Sequence, residues 1–145
     1  MEALQIFIGF NTVIFVILSG LHVFWAFGGK WGAGAVIPTS TNNQPAFMPG
    51  MFITLVVAFG LLGFAVVTIS NYGIFHPWIE YQYFRYGMWG IVIIFFLRTV
   101  GDFKQIGFTK RNTDTPFAKN DSRFYSPLCA YLSISSLMIV LMRNN

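Results

Sequence analysis

The sequence predicts an all-α fold, a four-helix transmembrane bundle with a folded polar connector between helices 3 and 4. Composition is the first observation behind this reading: 55% of residues are apolar, 19% aromatic and 10% charged, where a soluble domain carries about 25% charged residues. Distribution is the second. The apolar residues gather into four runs, at about residues 4–27, 51–70, 80–100 and 126–142, and most of the charge gathers between Arg98 and Pro127. A chain of 145 residues holds one domain of this kind, a single integral membrane unit over 1–145.

The first run, Leu4 to Phe27, is about 24 residues, roughly 36 Å of helix for a hydrocarbon core of about 30 Å. It reads as a retained span rather than a cleavable signal. Met1-Glu2 supplies no basic start, and the apolar stretch outruns the ~7–15 residues of a signal core. Helical spacing puts Thr12, Ser19 and His22 on one side with Trp25 a turn beyond, and polar groups in lipid are expected to face the bundle. The stretch from Gly28 to Gly50 is a long connector, rich in Gly, Pro and Asn, with Trp31 and Trp25 as interface anchors.

Met51 to Ser70 carries no charge and reads as scaffold; Gly60 and Gly63 are expected to let a neighbouring helix approach closely. Pro77 then breaks the chain, within a belt of Tyr72, Trp78, Tyr81 and Tyr83 at headgroup depth. The third run ends near Arg98. Asp102 lies four residues on, so the two share a face and are expected to pair if the helix continues. The fourth run is expected to open with Ser126 as N-cap and Pro127 at the first helical position, which leaves a short span to about Met142.

Four spans place both termini on one side. The connectors 28–50 and 101–126 on the other side hold Lys30, Lys104, Lys110, Arg111, Lys119 and Arg123, with Arg98 at a helix end, whereas the terminal side holds Arg85 and Arg143. The bias toward Lys and Arg puts both connectors in the cytoplasm and both termini outside.

Several function classes are excluded. The net charge of +4 does not point to nucleic acid, because the basic residues flank apolar spans and no groove-reading motif accompanies them. Cys129 is the single cysteine, which rules out an intrachain disulfide, a C-x-x-C redox centre and a cysteine zinc site. His22 and His76 fall on opposite sides of the bilayer and cannot share a haem iron. No ligand spacing marks a metal site, so neither metal nor cofactor is expected.

Topology brings chemistry-bearing residues to one mouth: His22, Trp25 and Trp31 beside the first span, Arg98 and Asp102 at the third, Asp121 and Tyr125 before the fourth. Lys110 and Arg111 lie in a connector whose charges alternate with Phe103, Phe108, Phe117 and Phe124, a mixture able to fold into a lid over that mouth. These nine are the candidate ligand-binding residues, since ionisable groups within a span are functional candidates by default. Imidazole, guanidinium and aromatic walls suit a lipid or a small amphipathic anion. The competing reading makes the same groups a helix fastening in an assembly subunit, with the connector docking a membrane-protein partner or a second copy of the chain. No residue is assigned a catalytic role; Ser126 is better explained as a cap than as a nucleophile.

The pattern His22-x-x-Trp25-Ala26-x-Gly28-Gly29-x-Trp31-Gly32, then Arg98-x-x-Gly101-Asp102 with Gly107-Phe108-x-Lys110-Arg111, then Phe117-Ala118-x-x-Asp121 with Tyr125-Ser126-Pro127-Leu128-Cys129, resembles a domain-of-unknown-function family of small bacterial four-span membrane proteins. The resemblance covers nearly the whole chain. It implies a four-helix integral membrane protein of the bacterial cell envelope and no activity; with the charge bias, the expected location is the bacterial inner (cytoplasmic) membrane.

Overall fold

The computed structural model describes residues 2–32, 50–75, 78–101 and 116–143. Helix α1 spans Glu2–Ala26, α2 spans Met51–Ile69 with a 3-10 turn Ser70–Tyr72 at its end, and α3 spans Tyr81–Val100. Helix α4, Pro116–Asn120, leads through a π-helical turn, Asp121–Tyr125, into α5, Ser126–Arg143. Glu2–Ala26, Met51–Tyr72, Tyr81–Val100 and Phe117–Arg143 are each long and apolar enough to cross a membrane. The chain is therefore a small multi-pass membrane protein, an all-α four-helix bundle.

The bundle runs up and down. Helix α1 packs chiefly on α2 and α3 on α5, while α1–α5 and α2–α3 contacts close the ring. Its inner stripes follow helical spacing: Ile8, Asn11, Phe15 and Ser19 on α1; Thr54, Ala58, Leu61, Ala65 and Thr68 on α2. Large apolar side chains such as Phe10, Ile17, Phe52, Phe59 and Ile134 point outward instead, because lipid is as apolar as a core and leaves little hydrophobic drive between helices. Small and polar side chains hold the inside. Asn11 Nδ2 donates to Ser135 Oγ (2.9 Å), joining α1 to α5. Ser19 Oγ donates to the Ala58 carbonyl (2.8 Å) on α2, and Ser133 Oγ to the Val92 carbonyl (3.0 Å) on α3. Bonds of this kind in a bilayer are worth about 0.6 kcal/mol each.

In the core the rings of Phe15, Phe64 and Phe95 pack together, with centroids 5.6–6.0 Å apart. They join three helices, and Phe95 lies one turn before Arg98 on α3.

Three elements differ from the sequence reading. Gly60 and Gly63 face outward, and a Cβ at either would meet nothing within 4 Å; the close approach of α2 and α3 is at Gly87, where a Cβ would lie 2.8 Å from Val67 Cγ1. On α1, Asn11 is buried and makes the interhelical bond, while Thr12 turns back to the Ile8 carbonyl (2.7 Å). Ser126 is not an N-cap, since the last membrane helix already begins at Pro116 and Pro127 lies inside it. The polar composition of 116–125 reads as a connector, but Phe117, Ala118 and Asp121 form a buried face that carries the helix on.

Candidate functional site

The continuation of the fourth helix creates the site. Phe117, Ala118 and Asp121 face inward at ordinary helical spacing, and the next buried residue is Ser126, five positions on. An α-helix would turn a residue five places on away from Asp121. A π turn, with its i to i+5 bond, brings it back to the same face. That bond is present: the Ser126 backbone N–H donates to the Asp121 carbonyl. The wide turn also sits immediately before Pro127, where an α-helix would press the ring against the carbonyl four residues back.

Asp121 is fully buried and its carboxylate is held from two helices. Arg98 Nη2 donates to Oδ1 at 2.9 Å from the last turn of α3, and Ser126 Oγ donates to Oδ2 at 3.0 Å. The Arg98 side chain is 31% exposed, so the pair joins a fully buried anion to a cation at the rim. Arg98 Nη1 is buried and has no hydrogen-bond partner among the described residues. Tyr125, at the end of the π turn, is half-buried beside this group, while Lys119, Arg123 and Phe124 are exposed on the outer side with the Arg123 guanidinium 5.4 Å from the Phe124 ring centre.

His22, Trp25 and Trp31 make a second cluster at the same end. His22 Nδ1 lies 2.8 Å from the Leu18 carbonyl; a carbonyl only accepts, so Nδ1 is the donor. The ring packs edge-on against Trp25, 5.1 Å between centres. Beyond it, Gly28 N–H donates to the Trp25 carbonyl and Gly29 N–H to the Phe24 carbonyl, both at 3.0 Å, the paired bonds of a Schellman helix end. Gly28 has φ +88°, and a Cβ on Gly29 would strike the Phe24 ring at 2.3 Å. The turn returns the Trp31 carbonyl to the Trp25 indole N–H (2.8 Å). The His-x-x-Trp-Ala-x-Gly-Gly-x-Trp-Gly run thus encodes a helix terminus and the fold-back that closes it.

The structure therefore joins Arg98, Asp121 and Tyr125 in one group and His22, Trp25 and Trp31 in another. No hydrogen bond or ring contact among the described residues links the two. Asp102, Lys110 and Arg111, and with them the expected Arg98–Asp102 pair, lie outside the described residues, as does His76. Ser126 belongs to the site and sequence reasoning missed it there; the signal was the stride of five from Asp121. Among the described residues no three His, Cys, Asp or Glu side chains gather as a metal site.

Neither curated proteins nor solved structures provide a match to the chain. Residues 15–136 match the family described as protein of unknown function (DUF3995), in line with the resemblance carried by the motifs, and the chain belongs to that family.

Proposed function

We propose that the protein binds an amphipathic anion, a lipid or a small molecule with an acidic head, at the end of the bundle marked by Arg98 and Asp121. The observation that carries the reading is the buried Nη1 of Arg98, left without an acceptor among the described residues while Nη2 is tied to Asp121. A buried donor left unmade costs about 1–3 kcal/mol, and an anionic oxygen from a ligand at the rim supplies the missing acceptor. Lys119 and Arg123, exposed on α4 and the π turn, with Lys110 and Arg111 from the connector, draw such a ligand in from a distance. His22, at the same end, offers its second ring nitrogen to a polar group on the head.

In this reading the membrane is the inner membrane of a bacterium, with connectors 28–50 and 101–126 in the cytoplasm and both termini outside. Alkaline phosphatase fused at the carboxyl terminus is then active; an inactive fusion reverses the orientation.

Native mass spectrometry of the protein taken gently from its own membrane tests the site. A small molecule or lipid retained by the wild type and lost on Arg98→Ala supports it and identifies the ligand class. A protein partner retained with nothing bound at the mouth overturns it in favour of an assembly subunit.

A further inference from the structure

The end of the bundle opposite Arg98 carries its own arginine. Arg143, the last residue of α5, sits with its guanidinium carbon 4.4 Å from the centre of the Tyr81 ring at the start of α3. That ring is held at its tip, where the Tyr81 hydroxyl donates to Asn71 Oδ1 (3.2 Å). Asn71 is buried, its Nδ2 donating to the Val67 and Thr68 carbonyls at the end of α2. Gly73, at φ +86°, brings backbone close: a Cβ there would lie 3.8 Å from Arg143 Nη2. Ser70, Gly73, Ile79, Tyr81, Phe84 and Arg143 line a shallow surface depression here.

The guanidinium is thus positioned on one face, with its N–H edges unused among the described residues. Of the described acidic side chains at this end, Glu80 accepts from Gln82 Nε2 (2.8 Å) and neither it nor Glu2 pairs with Arg143. Tyr72, Trp78, Tyr83 and Tyr86 around it are exposed, as an aromatic belt at headgroup level is. A planar, pre-set fork at that level matches the oxygens of a phosphate in a way that a flexible ammonium does not. Cation–ring packing alone would serve to pin α5 to the α2–α3 turn, but it would not require the N–H edges of the fork to be left without an acceptor among the described residues.

We infer that Arg143, positioned over Tyr81, is a second binding site, one that takes the phosphate of an anionic phospholipid. The site shares no residue with the Arg98 group, so each stands or falls alone. The test reconstitutes the full chain in vesicles of equal parts phosphatidylcholine and phosphatidylglycerol, releases it with its bound lipid and counts each lipid by native mass spectrometry. Wild type is expected to be enriched in phosphatidylglycerol; Arg143→Ala is expected to lower that enrichment about fivefold, as loss of one interfacial cation contact implies, and Tyr81→Leu, which keeps the charge and loses its positioning, at least about twofold. Circular dichroism establishes that each variant keeps its helices. If Arg143→Ala does not fold, Arg143→Lys, which keeps the charge and loses the fork, is expected to lower the enrichment at least about twofold. Enrichment as in wild type in any of these folded variants overturns the proposal.

Discussion

The Arg98 guanidinium at the end of α3 donates through Nη2 to Oδ1 of Asp121, 23 residues along the chain, at 2.9 Å. This pair ties the third membrane helix to the fourth where the charged connector between them begins and ends. Asp121 faces Arg98 because a π turn separates it from Ser126, and Ser126 then donates to its other oxygen. A local irregularity in one helix thereby gives a buried carboxylate donors from two elements among the described residues.

Breaking the pair from its two sides is expected to cost unequal amounts. Asp121 is 0% exposed and Arg98 31%. Arg98→Ala leaves the carboxylate buried with Ser126, a loss of about 3–5 kcal/mol. Asp121→Asn keeps the shape and leaves a cation that can snorkel to the rim, at a smaller loss. Thermal or denaturant unfolding in micelles ranks the two; an Asp121→Asn loss equal to or above that of Arg98→Ala contradicts this account.

The Asn11–Ser135 bond is expected to be a modest interhelical tie. Both groups are buried, the bond joins α1 to α5, and coupling energies of such pairs in a bilayer average about 0.6 kcal/mol with a maximum near 1.7. A double-mutant cycle of Asn11→Ala and Ser135→Ala measures it. Coupling near zero would mean that Ser136, 3.5 Å from the same amide, takes over the contact.

Much of this fold was legible in the sequence, because a membrane forces it. Four apolar runs of spanning length leave few alternatives once every backbone group must bond within its own helix. The inward faces were harder to read, since lipid and core are both apolar and periodicity carries a weak signal. Gly60 and Gly63 looked like a packing surface and face outward, while Gly87 meets Val67. Ser126-Pro127 carries a good capping signature, yet it lies within a helix, because the buried face of Phe117, Ala118 and Asp121 outweighs a local preference. Of the site, Arg98, Asp121 and Tyr125 were named from topology; the partnership of Arg98 with Asp121 needed coordinates, as the π turn changes which residues share a face.

The glycines after α1 are expected to be unequal to those within it. Gly28→Ala forces a side chain into the left-handed region, about 1–2 kcal/mol, whereas a methyl at Gly29 meets only the edge of the exposed Phe24 ring, which can swing aside. Gly28→Ala disturbs the turn that returns the Trp31 carbonyl to Trp25, so it is expected to lower stability and alter tryptophan emission, and Gly29→Ala to do so less. Gly20→Ala, with nothing within 4 Å of the added carbon, is the control and is expected to be neutral or slightly stabilising. Equal effects at all three positions would sink the idea that the Gly28-Gly29 pair is there for the helix end.

The π turn makes a prediction about length. Inserting one alanine between Phe124 and Tyr125 lengthens the stride from Asp121 to Ser126, and in a helix each added residue rotates what precedes it by about 100°. The carboxylate is then turned away from Arg98, and the insertion is expected to destabilise about as much as Arg98→Ala. Deleting Phe124, which is exposed, shortens the stride to four. An ordinary α-helix places residues four apart on one face, so Asp121 keeps both Arg98 and Ser126, and the ion pair survives. What the deletion loses is the wide turn ahead of Pro127, and a proline inside an α-helix costs about 3 kcal/mol. Adding Pro127→Ala to the deletion is therefore expected to recover most of that loss, whereas Pro127→Ala alone changes little. Unfolding midpoints of the four proteins decide it: a double variant no more stable than the deletion would mean that the π turn serves something other than the proline.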